Sequence, residues 1–401
     1  MTNLDVIDPS LRDVDFNAAK LPNVLEHIEK VRAGGRVVTP VRFHDEVAWM
    51  VVGHEDVISV LMNDTELPAA DFYARLATPW WGRTIGTVYG DEHRAYRAFF
   101  IAPLLPTKLR RYAEKALQPI ANELVDKFAG RRQVDFLTEY ARPYPFRVIT
   151  RLFDLPDADD PLIQKLVFEL NHFPWDPEMA TRAKTAMTDY LRPIARARRE
   201  KPGDDLISYF ATTEVDGELL NETDLLDCIR FLYPAAGENT ANALCLLIYS
   251  VLKEPAVLER VRSEPDARQA AVEEALRITS PVSFILRYTK QPVTIADTTI
   301  PANSSIILAL GGANHDASAF EQPTEFRLDR GANRHLAFGR GAHLCAGAHL
   351  AKAEMRMTLD VLLERLPGLR LVDPESIAFF GGIMRSPASL PLAFTDVIPR
   401  H

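Results

Sequence analysis

The sequence contains few cysteines. Its 401 residues include three, Cys228, Cys245 and Cys345. So few cysteines cannot form the disulfide framework of a small secreted domain. The paired Cys-x2–4-Cys spacing of most structural zinc sites is missing as well. The cysteine content therefore predicts an intracellular protein, in which each cysteine needs its own explanation.

Long apolar runs and an excess of positive charge are also missing. No segment reaches the roughly 18 consecutive apolar residues of a membrane span. The stretch MTNLDVIDPSLRDVDF has neither the basic start nor the apolar centre of a signal peptide. The formal net charge is −9, which argues against nucleic acid as an electrostatic partner. We expect a cytoplasmic monomer that binds neither membranes nor nucleic acid.

The chain lacks internal repeats, low-complexity segments and an evident linker. Hydrophobic residues make up 47% of it, which is enough for one large core. Helical periodicity dominates from about residue 92 to 260, whereas RVVTPVRF, AWMVVG and three segments between 284 and 310 have the pattern of strands. The sequence therefore predicts one domain, residues 1–401, that is mostly α with minor β-sheets.

A cysteine, a histidine and three glycines occur together in FGRGAHLCAG, residues 338–347. Cys345 lies at the start of a strongly amphipathic helix, where unpaired backbone N–H groups and the helix dipole favour a thiolate. The glycines permit tight turns and close approach to a flat or bulky partner. His343 can reach the rim of the same partner.

Three interpretations of Cys345 are compatible with this chemistry. It can be a buried structural cysteine in a glycine-rich loop. It can bind zinc together with His349, His343 and His335, because residues four apart share a helix face, although paired cysteines are usual in such sites. It can also be a single thiolate that holds a haem iron, with the porphyrin lying against the glycine loop.

FGRGAHLCAG resembles the haem-binding signature of the cytochrome P450 family, Phe-Gly-x-Gly-x-His-x-Cys-x-Gly, at every specified position. Three further segments resemble motifs of the family, in its order: HRAYR (93–97), EALR (274–277) and ANHDASAFEQPTEFRLDR (313–330). The chain is most similar in length to soluble bacterial members. The resemblance implies the cytochrome P450 fold and a haem b whose iron is ligated by Cys345.

The two propionates of haem need cations or other donors, because an unpaired buried carboxylate is costly. The resemblance implies that His93, Arg97, Arg287 and His343 serve this purpose. Arg287 lies among apolar residues in the predicted strand FILRYT, an unusual place for a charge without a buried partner. Glu274 and Arg277 of the EALR motif are three apart on a helix, and the resemblance implies a structural role for this pair.

The long apolar helix in residues 225–255 contains an unusual centre, PAAGENT, from Pro234 to Thr240. It resembles the oxygen-activation motif of the family, Ala-(Ala/Gly)-x-(Asp/Glu)-Thr-Thr, with Glu238 as the acid and Asn239 in place of the first threonine. An amide can donate and accept hydrogen bonds as a hydroxyl can. We expect Glu238, Asn239 and Thr240 to deliver protons. A register shifted by one residue, with Thr240 as the key alcohol, is the alternative.

By resemblance, five regions contact the substrate, and most of their side chains are apolar, as expected for an apolar substrate of small to medium size. The predicted substrate contacts are Phe72, Trp80, Trp81, Phe168, Phe173, Tyr233, Ala236, Val282, Phe284, Ile383 and Met384.

The resemblance implies a haem-thiolate monooxygenase that inserts one oxygen atom from O2 into its substrate. Electrons are expected from a separate ferredoxin and an NAD(P)H-dependent ferredoxin reductase. A local basic patch is expected to bind that acidic ferredoxin, formed by Arg94, Lys108, Arg110, Arg111, Arg340, Lys352 and Arg356. The alternatives are a peroxide-driven peroxygenase, because the usual threonine is replaced, and a non-enzymatic haem sensor or carrier.

Overall fold

A computed structural model describes residues 4–399. The α-helices of this range are α1 (Val24–Ala33), α2 (His54–Met62), α3 (Ala69–Trp81), α4 (Gly90–Ile101), α5 (Pro106–Tyr112), α6 (Gln118–Asp126), α7 (Pro143–Leu152), α8 (Asp160–Asn171), α9 (Pro177–Glu200), α10 (Leu206–Thr212), α11 (Glu222–Lys253), α12 (Pro255–Ser263), α13 (Ala267–Thr279), α14 (Leu310–Ala313) and α15 (Ala348–Arg365). One-turn π-helical segments at Ala113–Leu117 and Leu137–Ala141 precede α6 and α7.

The strands are short by comparison. They are β1 (Val38–Phe43), β2 (Glu46–Val51), β3 (Gln133–Asp135), β4 (Glu214–Val215), β5 (Glu218–Leu219), β6 (Ile285–Tyr288), β7 (Val293–Ile295), β8 (Thr298–Ile300), β9 (Ser305–Leu308), β10 (Arg370–Leu371), β11 (Phe379–Phe380), β12 (Ser386–Pro387) and β13 (Pro391–Ala393). The prediction of a mostly α fold with minor β-sheets is confirmed.

The largest sheet has four strands in the order β1-β2-β9-β6. β1 and β2 form an antiparallel hairpin, β2 pairs with β9 in parallel, and β6 pairs antiparallel with β9, placing Arg287 opposite Ile306. A three-stranded sheet has the order β10-β13-β3, and the other strands form two-stranded pairs. The four-stranded sheet thus places β6, which carries Arg287, in the same sheet as the N-terminal strands β1 and β2.

The helix α11 passes through the main core. Its 32 residues pack against α7, α9, α13 and α15, and most of its side chains are buried. A helix that is apolar around most of its circumference is stable only when neighbours cover it on all sides. Within residues 4–399 no single helix is long and apolar enough to span a membrane; α11 and α12 together meet the length and composition test but meet at 104°.

A close approach between two helices fixes the centre of α11 against α7. A Cβ atom built on Gly237 would overlap the ring of Phe146. Phe146 is itself packed against the main core, so its ring has little room to move. The absence of a side chain at Gly237 therefore sets the depth to which α7 approaches this part of α11.

We predict that Gly237→Ala destabilises the protein by about 1 kcal/mol, because overpacking typically costs about 1–3 kcal/mol and outweighs the roughly 1 kcal/mol gain in helix propensity. In a Phe146→Ala background the same change should instead stabilise, because only the propensity gain remains. Denaturant unfolding of the four proteins measures this cycle. An equal effect of Gly237→Ala in both backgrounds would contradict the packing account.

Candidate active site

The loop before α15 positions Cys345. The backbone N–H of Cys345 donates to the carbonyl of Phe338 at 2.9 Å, which closes the loop. Gly339 and Gly341 have φ angles of 69° and 74°, in the region that residues with a side chain rarely occupy. The sulfur of Cys345 accepts the backbone N–H groups of Gly347 and Ala348. Backbone donors at a helix N-terminus are suited to a thiolate.

Cys345 borders an internal space. Its side chain is exposed, yet burial by surrounding protein raises the pKa of its thiol. The centre of α11 shows the same combination, because Ala235 is exposed although Pro234 before it and Gly237 after it are buried. An exposed residue in the middle of a core helix lines an internal space rather than the outer surface.

Four predicted cofactor contacts come together near Cys345. His93 and Arg97 lie on α4, Arg287 lies on β6, and His343 lies in the loop two residues before the cysteine. The rings of His93 and His343 have centroids 4.1 Å apart. Arg97 interacts electrostatically with Cys345 and with both histidines, and Arg287 interacts with His343.

These four basic groups have too little negative charge around them to favour their charged forms. Burial lowers the pKa of His93 to about 4 and also lowers the pKa values of Arg97, Arg287 and His343. The Nε atom of Arg287 and the Nε2 atom of His93 are buried and have no hydrogen-bond partner within residues 4–399. A group that carries two carboxylates would supply both the missing charge and the missing acceptors. The residues therefore fit a haem with its two propionates.

The zinc interpretation of Cys345 lacks a suitable set of ligands. Among the described residues, no three His, Cys, Asp or Glu side chains lie close enough together to hold a metal ion. His335 pairs with Glu273, and His343 pairs with Asp64 at 2.8 Å. These histidines are thus committed to other partners than Cys345.

The polar residues at the centre of α11 face different neighbours. Glu238 Oε2 accepts a hydrogen bond of 3.2 Å from Asn171 Nδ2 at the end of α8. Asn239 Oδ1 is buried and has no partner within residues 4–399, and Thr240 is buried. Asn239 follows the exposed Ala235 by four residues, so the two share a helix face. The geometry thus aligns Asn239 with the side of α11 that borders the internal space.

Several predicted substrate contacts form an aromatic group. Trp80 stacks on Phe173 with centroids 4.9 Å apart, and Trp81 meets the edge of Phe173 at 5.9 Å. Phe72 lies on the same helix α3, a little over two turns before Trp80. On another side, Val282 and Met384 form a β-bridge, and the carbonyl of Ile383 accepts the N–H of Ser283.

Three further predicted substrate contacts lie apart from these groups, and their contact with the substrate stays a prediction. Phe168 on α8 is 63% exposed and packs on His172. Tyr233 is fully buried on the face of α11 that meets Phe153. Phe284 is fully buried in the N-terminal core. Its ring meets the edges of Phe16 and Phe43 there.

Two polar contacts of this site were missed from the sequence. Asp64, in the segment between α2 and α3, binds His343, and Asn171 binds Glu238. The pairs are separated by 279 and 67 residues, and neither residue belongs to a recognisable motif. Only the fold brings them to the site.

The comparison with known proteins agrees with this arrangement. The sequence model of the family described as Cytochrome P450 matches residues 23–390. The chain belongs to the cytochrome P450 family. Cytochrome P450-SU2 of Streptomyces griseolus is 34% identical over 86% of this chain and 87% of its own. Cytochrome P450 monooxygenase PikC of Streptomyces venezuelae is 30% identical over 96% of this chain and 94% of its own.

The structural comparison confirms the cytochrome P450 fold. Cytochrome P450 CYP109Q5 from Chondromyces apiculatus superposes with a TM-score of 0.87 at 28% identity, covering 96% of this chain and 98% of that one. The P450 is accordingly an oxidoreductase of the monooxygenase type, and its family implies a haem-thiolate iron cofactor.

A buried network supports the cysteine loop of this P450. Glu274 on α13 accepts from Arg277 at 2.7 and 2.9 Å, from Arg330 and from Asn333. Arg277 in turn donates to the carbonyls of residues 314, 323 and 325 in the segment before the loop. A buried ion pair is tolerated only when such further hydrogen bonds satisfy it. The network therefore holds the loop rather than taking part in chemistry.

The neighbouring carboxylate extends this support to α15. Glu273 pairs with His335 at 3.1 Å and with Lys352 on α15 at 2.9 Å. Burial alone would raise the pKa of Glu273, but these partners outweigh it and lower the pKa to about 2. The pKa of Glu274 is also lowered, because Arg277 and Arg330 outweigh the effect of its burial.

We predict that acid releases this loop. Because both glutamates have pKa values below the ordinary 4.5, their stabilisation is complete above that pH and is lost as the pH falls toward about 2. Glu273→Gln should flatten the acid side of the stability curve while Glu364→Gln, an exposed control on α15, should not. Denaturant unfolding between pH 3 and 7, in steps of roughly one unit, measures this. Identical curves for wild type and Glu273→Gln would contradict it.

Proposed function

We propose that this P450 inserts one oxygen atom from O2 into a small to medium apolar organic substrate, with haem b bound through Cys345. The observation that carries the proposal is the sulfur of Cys345, held by two backbone N–H groups beside four basic side chains whose charged forms burial disfavours. When bound, the haem supplies a redox-active iron at which O2 is activated.

The residues around the haem site have separate tasks. The N–H groups of Gly347 and Ala348 would stabilise the thiolate of Cys345 as an iron ligand, against the burial that raises the pKa of its thiol. Arg97, Arg287 and the two histidines would hold the propionates. The aromatic group at Trp80, Trp81 and Phe173 excludes water and binds apolar surface of the substrate.

The centre of α11 supports proton delivery through Asn239. Its side chain lies on the face of Ala235, and its buried oxygen lacks a partner within residues 4–399. Glu238 is the titratable carrier next to it, and Asn171 holds its carboxylate toward α8. Thr240 follows Ala235 by five residues and so does not share its face as Asn239 does, which favours the register in which Asn239 replaces the usual alcohol.

The electron donor is proposed to be a separate ferredoxin that docks on the cysteine side. Four of the seven cations expected in the patch already pair with acids: Arg94 with Asp91, Arg111 with Asp204, Lys352 with Glu273 and Arg356 with Asp360. Lys108, Arg110 and Arg340 are exposed and form no ion pair within residues 4–399. These three are therefore the cations best able to attract an acidic partner.

Turnover under oxygen-18 gas tests the proposed reaction. With reduced ferredoxin and a bound substrate, we predict that one labelled oxygen atom enters the product, because the enzyme takes oxygen from O2. Hydrogen peroxide alone should give much slower turnover. Product formed with peroxide only would favour the peroxygenase instead, and absence of product under both conditions, despite haem uptake, would favour a sensor or carrier.

We predict that Asn239→Ala keeps substrate binding but uncouples NAD(P)H use from product, with release of hydrogen peroxide. Asn239→Thr should stay largely coupled, because a hydroxyl also donates and accepts. Glu238→Gln should slow turnover by about 100-fold, since it removes the titratable carrier. The measurement is product and peroxide formed per NAD(P)H. If Thr240→Ala uncouples while Asn239→Ala does not, the shifted register is the correct one.

Charge reversal tests the docking patch. Lys108→Glu combined with Arg110→Glu should slow reduction by ferredoxin about tenfold at low ionic strength, and salt should remove most of the difference. Lys30→Glu on α1, an exposed lysine outside the patch, is the matched control. Stopped-flow reduction rates decide the question, and equal rates for the double variant and the control would exclude this patch as the docking site.

A further inference from the structure

Asp64 joins the haem loop to α3. Its Oδ1 atom accepts a hydrogen bond of 2.8 Å from Nε2 of His343. The same oxygen accepts the backbone N–H of Ala69, the first residue of α3, at 3.2 Å. No capping hydrogen bond comes from the residue before α3, Pro68. One carboxylate oxygen thus caps a helix and holds a predicted propionate contact.

Asp64 also raises the pKa of three of the basic groups in the predicted haem site. It interacts electrostatically with His93, His343 and Arg287. Because burial still lowers the pKa of each of them, one carboxylate does not balance their charge. The cluster therefore has room for further negative charge, in the form of propionates, while Asp64 stays in place.

The N-terminal half of α3 also contacts β6, the strand that carries Arg287, and the residues just after it. Asp71 is buried and pairs at 2.5 Å with Lys290, just after β6. The guanidinium of Arg75 lies 4.6 Å from the ring centroid of Tyr288, the neighbour of Arg287 on β6. This end of α3 is thus tied to the strand and the loop that would hold the propionates.

The C-terminal end of α3 contacts the opposite wall of the pocket. Nε1 of Trp80 donates to the carbonyl of Pro177 at the start of α9. Lys184 on α9 donates to the carbonyl of Pro79 at 2.7 Å, and Arg230 on α11 donates to the carbonyl of Trp80. α3 therefore extends from the predicted propionate contacts to α9 and α11.

We propose that Asp64 is a positioning residue that couples the seating of the haem propionates at His343 to the order of α3, the helix that carries Phe72, Trp80 and Trp81. The inference rests on the proposed haem site. Asp64 holds Nε2 of His343, and Nδ1 of that ring donates to an anion when the ring is protonated. A carboxylate that loses His343 also loses its fixed position as the cap of α3.

The test compares the enzyme loaded with haem and with haem dimethyl ester, which lacks the propionate charges. Hydrogen exchange of the backbone amides in residues 72–81 reports the order of α3. In the wild type, we expect the ester to speed this exchange about fivefold, as for loss of a helix cap. Equal amide exchange rates of the wild type with haem and with the ester would overturn the coupling, regardless of how the variants behave.

Three variants locate the effect at Asp64. Asp64→Ala should show fast exchange with both cofactors, and Asp64→Glu should restore much of the difference. Glu66→Gln, in the same segment but bonded only to Asn63 among the described residues, should behave as wild type. With haem bound, Asp64→Asn should also raise the reduction potential, because it removes a negative charge beside the propionates.

The two failures are distinguishable. Retention of the haem-to-ester difference in Asp64→Ala would overturn the role of Asp64 but leave the haem site intact. Failure of the wild type to take up haem, seen directly in its absorption spectrum, would overturn the proposed function and the coupling together.

Discussion

The rest of the structure depends on four basic side chains that meet beside the cysteine loop. Burial puts a cost on their charged forms, which lowers the pKa values of His93, Arg97, Arg287 and His343. The fold accepts it because α4, β6 and the loop converge there, and a dianionic cofactor would repay it. The Glu274 network then holds the loop by satisfying its own buried charges internally.

The central helix presents different residues to different neighbours. α11 packs closely on Phe146 at Gly237 and is polar on the side of Asn239. α3 connects the cluster to the aromatic wall of the pocket. Asp64 contacts the N-terminal end of α3, and Lys184 and Arg230 contact carbonyls at its C-terminal end. Through these contacts, binding of the cofactor can affect the part of α3 that is proposed to contact the substrate.

The cysteine loop, the mostly α fold and the cation cluster could be predicted because each is encoded locally, in a contiguous motif or in an isolated charge such as Arg287 among apolar residues. The direction in which a single side chain points was less accessible, since Phe284 packs on Phe16 and Phe43 in the core and Phe168 is exposed on α8. Contacts between residues distant in sequence could not be predicted. Asp64 forms a hydrogen bond with His343, and Asp204 forms an ion pair with Arg111, only because the chain folds.

The central claim is that the sulfur of Cys345 is the axial ligand of a haem iron. The reduced protein in the presence of carbon monoxide tests it most directly, because a thiolate ligand places the Soret band at a distinctly longer wavelength than an imidazole ligand does. The account predicts the long-wavelength band for the wild type and its loss in Cys345→His, with haem retained. A spectrum that is unchanged by this substitution would contradict it.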